Sequence, residues 1–219
     1  MIKAVIFDMD GLMINSERVT YDGYVIECGK LGLTMEEDFY KSFLGCPLPT
    51  VFQMFYDHFS PSFPMETVLK NVHQYMNDLF EREGVPVKEG LRELLKYLKE
   101  RGYKTVVATS STRDRVDKIL KQTGLADYYD DSICGDEVER GKPNPDIFLK
   151  ACQKVQVSPS EALVLEDSEM GIQAASSAGI PMICVPDMKY PAPQYASLAS
   201  HIVESLTDVL EAFVRGELP

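Results

Sequence analysis

The sequence is short of positive charge. It contains 22 lysine and arginine residues against 34 aspartate and glutamate residues, and its formal net charge is −12. Proteins that bind nucleic acids usually present a basic face, and this chain has no cluster of lysine and arginine of that kind. We therefore expect no nucleic-acid polymer as a partner. An anionic substrate would need local positive charge, from a metal ion or from a well-placed lysine.

Cysteine motifs are also missing. The five cysteines are Cys28, Cys46, Cys134, Cys152 and Cys184, and no two of them form a C-x-x-C pair. An odd number of cysteines without such pairs argues against a disulfide framework and against a zinc site. We expect reduced thiols.

Long apolar runs are absent as well. No stretch approaches the length of a membrane span. The N-terminus, MIKAVIFDMDG, leads directly into a strand pattern and lacks the apolar region and cleavage site of a signal peptide. We expect a cytoplasmic protein that has no membrane partner. Because there is no heptad repeat, we expect a monomer or a weak dimer.

The apolar residues that are present follow two different patterns. Residues 2–7 predict a buried strand, whereas residues 16–83 carry apolar residues at helical spacing and contain no convincing strand. From residue 84 onward strands alternate with helices, which indicates βαβ units and a mostly parallel sheet. The predicted fold is therefore an α/β, Rossmann-like core formed by residues 1–15 and 84–219, with a small all-helical domain inserted at residues 16–83.

These patterns also predict the individual elements. The predicted strands are 2–7, 104–109, 131–135, 162–166, 181–185 and a short one near 201–203. The predicted helices of the core are 89–101, 113–123, 145–155, 169–178 and 206–215, and those of the insert are 17–31, 35–44, 48–58 and 65–82.

Acidic residues follow the first and fourth predicted strands. In such sheets ligands bind outside the carboxyl ends of the strands. Asp8 and Asp10 are two residues apart and can face one cleft, and Gly11 permits a sharp exit from the strand. Glu166 and Asp167 come directly after the apolar residues ALVL of the fourth strand, where packed neighbours would desolvate them. Each segment also has a simpler explanation, as acids in a solvated turn or as a cap of the next helix.

Two further segments carry groups that suit a phosphate. Thr109 and Ser110 end the second strand with hydroxyls and backbone N–H groups, although a cap of the next helix would explain them equally well. Lys142 lies in GKPNPD, where two prolines stiffen the chain, although most lone lysines are surface residues. Together the four segments favour phosphate chemistry. Carboxylate oxygens suit Mg²⁺, and a lysine with Mg²⁺ could neutralise a dianionic phosphate and the nucleophile that faces it.

The segments FDMDGLMINSE, VVATSS, GKPNPDIF and LVLEDSEMGIQAA closely resemble the haloacid dehalogenase-like superfamily, and within it the β-phosphoglucomutase-like group of phosphatases and mutases. They span nearly the whole core, and the helical insert stands where that group carries its cap. The resemblance implies that Asp8 is the nucleophile, which becomes an aspartyl-phosphate, and that Asp10 is the general acid and then the base. Lys142 would stabilise the nucleophile and the transferring charge.

The resemblance also implies the ligands of the phosphate and of the metal. The expected phosphate-binding groups are Lys142, Thr109, the backbone of Ser110, and the amides of Met9 and Gly11. The expected Mg²⁺ ligands are the side chains of Asp8 and Asp167 and the carbonyl of Asp10, with Glu166 helping directly or through water.

Departures from the group bear on the reaction. Dehalogenases lack the second aspartate, and Asp10 is present here. The sugar-phosphate mutases of the group place a histidine ten residues after that aspartate, where this chain has Thr20. They place an arginine shortly after the glycine of the cap turn, and Cys46-Pro47-Leu48 follows Gly45 here. They also use a cap lysine near the position of Asn71, to which Lys70 is adjacent in this chain. The missing cationic groups favour simple hydrolysis.

The predicted function is therefore a Mg²⁺-dependent phosphatase for a small phosphorylated metabolite, a sugar phosphate or a nucleotide-like compound. A β-phosphoglucomutase-type mutase is the alternative. A non-catalytic binding protein on the same scaffold is least favoured, because such a protein would be expected to lose one of the chemical positions, and all are present: Asp8, Asp10, Thr109, Lys142 and Asp167.

Overall fold

The computed structural model describes residues 1–218, which form two compact units. One unit consists of Met1–Asn15 and the chain from Val85 onward, and the other of Ser16–Gly84. The sequence pattern predicts a core that begins again at residue 84. Gly84 instead ends the last helix of the second unit, where its N–H donates to the Phe80 carbonyl at 3.1 Å.

The first unit contains a parallel sheet of six strands in the order β3-β2-β1-β4-β5-β6. The strands are β1 Ala4–Phe7, β2 Lys104–Ala108, β3 Asp131–Ile133, β4 Ala162–Glu166, β5 Met182–Cys184 and β6 His201–Ile202. β1 is central, since Phe7 aligns with Val107 of β2 on one side and with Leu165 of β4 on the other. The predicted Rossmann-like parallel sheet is confirmed, and its strand order reverses beside β1, the position at which such sheets bind ligands.

The second unit is entirely helical. Its helices are α1 Ser16–Lys30, α2 Glu37–Phe43, α3 Leu48–His58 and α4 Met65–Glu83. Phe55 is fully buried at the centre, with ring centroids 5.4 Å from Tyr24, 5.1 Å from Phe43 and 5.3 Å from Phe63. Such aromatic clusters supply large buried areas to small domains.

A polar contact joins α1 to α4 in this unit. The buried Glu27 carboxylate accepts a hydrogen bond from the Asn71 side chain at 2.8 Å and an ion pair from Lys30 at 2.5 Å. The burial of Glu27 is tolerated because both of its oxygens are paired. Asn71, near which the resemblance places the cap lysine of the mutases, is thus hydrogen-bonded within its own unit.

The remaining helices flank the sheet: α5 Leu91–Glu100, α6 Arg113–Thr123, α7 Asp146–Lys154, α8 Glu169–Ser177, α9 Pro193–Ala196 and α10 Leu206–Arg215. α5 buries Leu91, Leu94, Leu95 and Leu98, one stripe at helical spacing. The single turn α9 was not predicted, because four residues are too short for an apolar period to be visible. No helix in the described part of the chain is long and apolar enough to cross a membrane.

We predict that Phe55→Ala will destabilise the helical unit by about 3–5 kcal/mol, because it removes a fully buried ring and leaves a cavity. Urea unfolding followed by circular dichroism measures the change. The matched control is Phe52→Ala on the same helix, where the side chain is only half-buried and a smaller loss is expected. Equal losses for the two variants would contradict this account of the core.

Candidate active site

The site lies where β1 ends, between the ends of β2 and β4. Asp8 follows Phe7 directly, and its backbone N–H donates to the Leu165 carbonyl at 3.0 Å. This bond continues the β1–β4 ladder and holds Asp8 at the carboxyl edge of the sheet. Its side chain is 9% exposed, so the carboxylate is almost completely removed from water.

Lys142 connects two buried carboxylates. Its Nζ donates to Asp8 Oδ1 at 2.6 Å and to Glu166 Oε1 at 2.5 Å, and it lies 4.9 Å from the centre of the Phe148 ring. Only 5% of the Lys142 side chain is exposed. The lysine is therefore a buried residue and not an ordinary surface one. A buried ammonium group is costly unless it is paired, and the two carboxylates supply the pairing.

Glu166 is fully buried and has partners on both oxygens. Oε1 is held by Lys142, and Oε2 accepts from the Ser168 N–H at 2.7 Å and from the Ser168 hydroxyl at 2.9 Å. Ser168 is also the N-cap of α8, since its Oγ accepts from the Gly171 N–H at 3.1 Å. Ser168 thus both caps α8 and holds the Glu166 carboxylate in place.

Three carboxylates in this part of the site can hold a cation. Asp8, Glu166 and Asp167 each offer an oxygen, and these oxygens lie within 4.8 Å of one another. When all three are ionised they exceed the single charge of Lys142 by two. A divalent cation that prefers oxygen ligands, such as Mg²⁺, fits both the charge and the donor set. The Asp10 carboxylate does not belong to this group. The expected binding of Mg²⁺ by the Asp10 backbone carbonyl stays a prediction.

The pKa shifts of Asp8 and Lys142 agree with a divalent cation bound among the three carboxylates. Burial raises the pKa of Asp8 to about 8, Lys142 opposes the rise, and the Glu166 carboxylate adds to it. Burial lowers the pKa of Lys142, but Asp8 and Glu166 outweigh burial and hold this pKa above its ordinary value. A cation among the carboxylates would favour the ionised form of Asp8, which is the form that can act as a nucleophile.

Thr109 and Ser110 lie at the end of β2 as predicted, and neither caps the next helix. The N-cap of α6 is Thr112, which makes no capping bond through its side chain. Thr109 is buried, and its Oγ1 accepts from the Ser111 N–H at 3.1 Å. A side chain at Gly135 would overlap the Ser110 carbonyl, so this loop is closely packed. The predicted contacts of Thr109 and Ser110 with phosphate stay predictions.

Asp10 has hydrogen-bonding partners that the sequence patterns did not predict. Asp10 Oδ2 accepts from the Ser111 hydroxyl at 2.7 Å, and Oδ1 accepts from the Arg115 guanidinium at 2.5 Å. Arg115 Nε also donates to Ser111 Oγ at 3.1 Å. The position of Arg115 in the first turn of a predicted helix was a signal for such a partner. The helix dipole disfavours a cation at this position, and a nearby acid offsets that effect.

Gly11 is required for more than a sharp turn. Its φ of +83° favours glycine, and a Cβ at this position would overlap the Asp167 carboxylate. Its amide donates to the Ile14 carbonyl at 3.1 Å, and the Met9 carbonyl accepts from the amides of Met13 and Ile14. The loop after β1 is therefore held by its own backbone. The predicted contacts of the Met9 and Gly11 amides with phosphate stay predictions.

Comparison with known protein families identifies the family of this chain. A sequence model of haloacid dehalogenase-like hydrolases matches residues 5–185. The chain belongs to this family.

Individual members of the family are similar over most of their length. The phosphorylated carbohydrates phosphatase of Thermotoga maritima is 31% identical over 182 residues, which cover 83% of this chain and 84% of that protein. A probable pseudouridine-5′-phosphatase of Drosophila melanogaster is 30% identical over 209 residues, 93% of this chain and 89% of that protein. A solved Thermotoga maritima structure, provisionally assigned as a β-phosphoglucomutase, matches with a TM-score of 0.80 and 27% identity, and covers 98% of this chain and 99% of that one. The predicted family and enzyme class, a phosphoric monoester hydrolase, are confirmed.

We predict that Gly11→Ala will weaken Mg²⁺ binding by about 10-fold or more, because the new methyl group displaces the Asp167 carboxylate. Titration calorimetry with MgCl₂ measures the affinity. Gly124→Ala is the control, since Gly124 also has a positive φ, of +66°, but no atom lies within 4 Å of its Cβ position. The control should lose only stability, about 1–2 kcal/mol. Unchanged Mg²⁺ affinity in Gly11→Ala would contradict the metal assignment.

Proposed function

We propose that the protein is a Mg²⁺-dependent phosphatase that hydrolyses a small phosphate monoester through an aspartyl-phosphate on Asp8. The observation that carries this proposal is the buried Lys142 that joins Asp8 to Glu166, with the Asp167 carboxylate beside them. A nucleophilic carboxylate, a fixed positive charge and a set of metal ligands thus meet at the ligand-binding edge of the sheet.

In the first half-reaction the Asp8 carboxylate attacks phosphorus, and the bond between phosphorus and the ester oxygen breaks. Asp10 gives its proton to the departing oxygen, which leaves as an alcohol. Lys142 stabilises the charge on Asp8 and on the phosphoryl group, while Thr109 and the Ser110 backbone hold the phosphate oxygens.

In the second half-reaction water attacks the phosphorus of the aspartyl-phosphate, and Asp10 takes a proton from that water. Inorganic phosphate leaves, and the Asp8 carboxylate is regenerated. The residues that would hold the metal are Asp8, Asp167 and the Asp10 carbonyl, with Glu166 binding directly or through water. A bound Mg²⁺ would neutralise the negative charge shared by the nucleophile and the phosphate.

The substrate class follows from the relatives, one named for phosphorylated carbohydrates and one for pseudouridine 5′-phosphate. Sugar phosphates and nucleotides are the first compounds to test. A mutase is the second candidate because of the likeness to the provisionally assigned β-phosphoglucomutase. Against it, Thr20 donates to the Ser16 carbonyl at 2.9 Å and Asn71 is bound to Glu27, so neither position offers a cation to a second phosphate.

A phosphate-release assay tests the proposal. Sugar phosphates, nucleotides and small phosphate esters are incubated with and without Mg²⁺, and β-glucose 1-phosphate is included with glucose 6-phosphate measured as a product. We expect Mg²⁺-dependent release of inorganic phosphate. Formation of glucose 6-phosphate with little free phosphate would make the protein a mutase.

We predict that Asp8→Asn will lower kcat by at least about 10³-fold, because an amide cannot attack phosphorus. The shape of the side chain is kept, and thermal unfolding should show a folded protein. Phosphate release from the best substrate of the panel measures the loss. A variant that retains activity would overturn the assignment of the nucleophile.

We predict that removal of divalent cations with EDTA will abolish turnover and that added Mg²⁺ will restore it. Mg²⁺ should also raise the unfolding free energy of the wild-type protein, by about 2.7 kcal/mol at 100 times its Kd. Asp167→Asn should lose most of this stabilisation, because it removes a carboxylate from the group of three. Full activity in EDTA would exclude a metal-dependent reaction.

A further inference from the structure

Arg115, Ser111 and Asp10 form a closed set of hydrogen bonds. Arg115 donates to Asp10 Oδ1 at 2.5 Å and to Ser111 Oγ at 3.1 Å, and the Ser111 hydroxyl donates to Asp10 Oδ2 at 2.7 Å. Both oxygens of the Asp10 carboxylate are therefore held, one by the guanidinium and one by the hydroxyl. The plane of a carboxylate that is held at both oxygens is fixed.

The position of Arg115 on its helix is unfavourable for the helix itself. Arg113 and Arg115 both lie in the first turn of α6, where the positive end of the helix dipole disfavours cations. Each arginine is matched by an acid from another segment. Arg113 pairs with Glu137 at 2.5 Å and binds Ser132, whereas Arg115 pairs with Asp10. The unfavourable interaction of Arg115 with the helix dipole is thus offset by its ion pair with Asp10, the residue that the proposed reaction uses as acid and base.

The Asp10 side chain is also partly accessible. It is 25% exposed and the Arg115 side chain is 23% exposed, in contrast to 9% for Asp8. An acid-base group must reach both the leaving oxygen and the attacking water, and a partly exposed carboxylate has more rotamer freedom than a buried one. Positioning by neighbours therefore matters more for Asp10 than for Asp8.

We propose that Arg115 is the positioning residue for Asp10, a role that rests on the proposed function. Its guanidinium presents donors in a rigid fork, which fixes Asp10 directly and fixes Ser111, the second partner of Asp10. The Asp10 carboxylate is thereby kept in one orientation for proton donation to the leaving group and for proton removal from water.

The test compares two aryl esters, phenyl phosphate and p-nitrophenyl phosphate, because the second has a leaving group that needs little protonation. kcat/KM reports the steps up to cleavage of the ester bond. Arg115→Met should lower kcat/KM for phenyl phosphate by about 10- to 100-fold, since a displacement near 1 Å can cost about that much. The loss for p-nitrophenyl phosphate should be at least about fivefold smaller.

The second arm repeats the substitution in an Asp10→Ala background. If Arg115 acts through Asp10, the double variant should be slower than Asp10→Ala by less than about twofold. The same loss in both backgrounds, or an equal loss for both esters, would overturn the proposal. A loss confined to KM would also overturn it, because it would make Arg115 a substrate contact.

Two controls separate this role from stability. Arg113→Met removes the neighbouring arginine of the same turn and should leave kcat/KM unchanged within about twofold, since its partners lie outside the site. Arg115→Lys keeps the charge without the fork and carries the test if Arg115→Met does not fold. It should show an intermediate loss with the same dependence on leaving group.

A structural measurement keeps this proposal separate from the proposed function. If wild-type protein releases no phosphate from any ester, the proposed function fails, and the crystal structure of Arg115→Met still decides the positioning role. We expect the Asp10 carboxylate to leave its wild-type orientation. An unchanged, well-ordered Asp10 would overturn the proposal.

Discussion

A buried ammonium group held between two buried carboxylates is the interaction on which the rest of the site depends. Lys142, at 5% exposure, contacts both Asp8 and Glu166. An isolated charge at such depth would cost on the order of several kcal/mol, so each member is stable there only because the others are present. The contacts join the end of β1, the segment before α7 and the end of β4. The same arrangement leaves an excess of negative charge, which the proposed metal would balance.

The parallel sheet makes this meeting possible. Because β1, β2 and β4 run in the same direction, their carboxyl ends lie at one edge, and the residues that follow them face a common region. Two glycines then allow the carboxylates to approach the backbone. A Cβ at Gly11 would overlap Asp167, and a Cβ at Gly171 would overlap Glu166. At Gly11 the requirement for glycine comes from the positive φ as well as from the Asp167 carboxylate, whereas at Gly171, inside α8, it comes from the Glu166 carboxylate alone.

Two carboxylates that are only two residues apart in sequence have separate partners in space. Asp8 is paired with Lys142 and is buried, whereas Asp10 is paired with Arg115 and Ser111 and is partly exposed. This separation suits two different tasks, a nucleophile whose charge is balanced by a fixed cation and an acid-base group that exchanges protons with substrate and water. Similar side chains thus have different surroundings, as the two proposed roles require.

The periodicity of apolar residues was enough to predict the parallel sheet, β4 at Ala162–Glu166 and α6 at Arg113–Thr123, because strand and helix formation depend on neighbours in the chain. Once the strand ends were predicted, the acidic segments that follow them could be read directly from the sequence. Only the tertiary structure decided which side chains meet. Lys142 is 134 residues from its partner Asp8, and Arg115 is 105 residues from its partner Asp10. The helix α9 has only four residues, too few to show a helical pattern of apolar residues. Such contacts depend on strand order and on which helix face is turned to the sheet, and these are properties of the packed chain that spacing along the sequence does not contain.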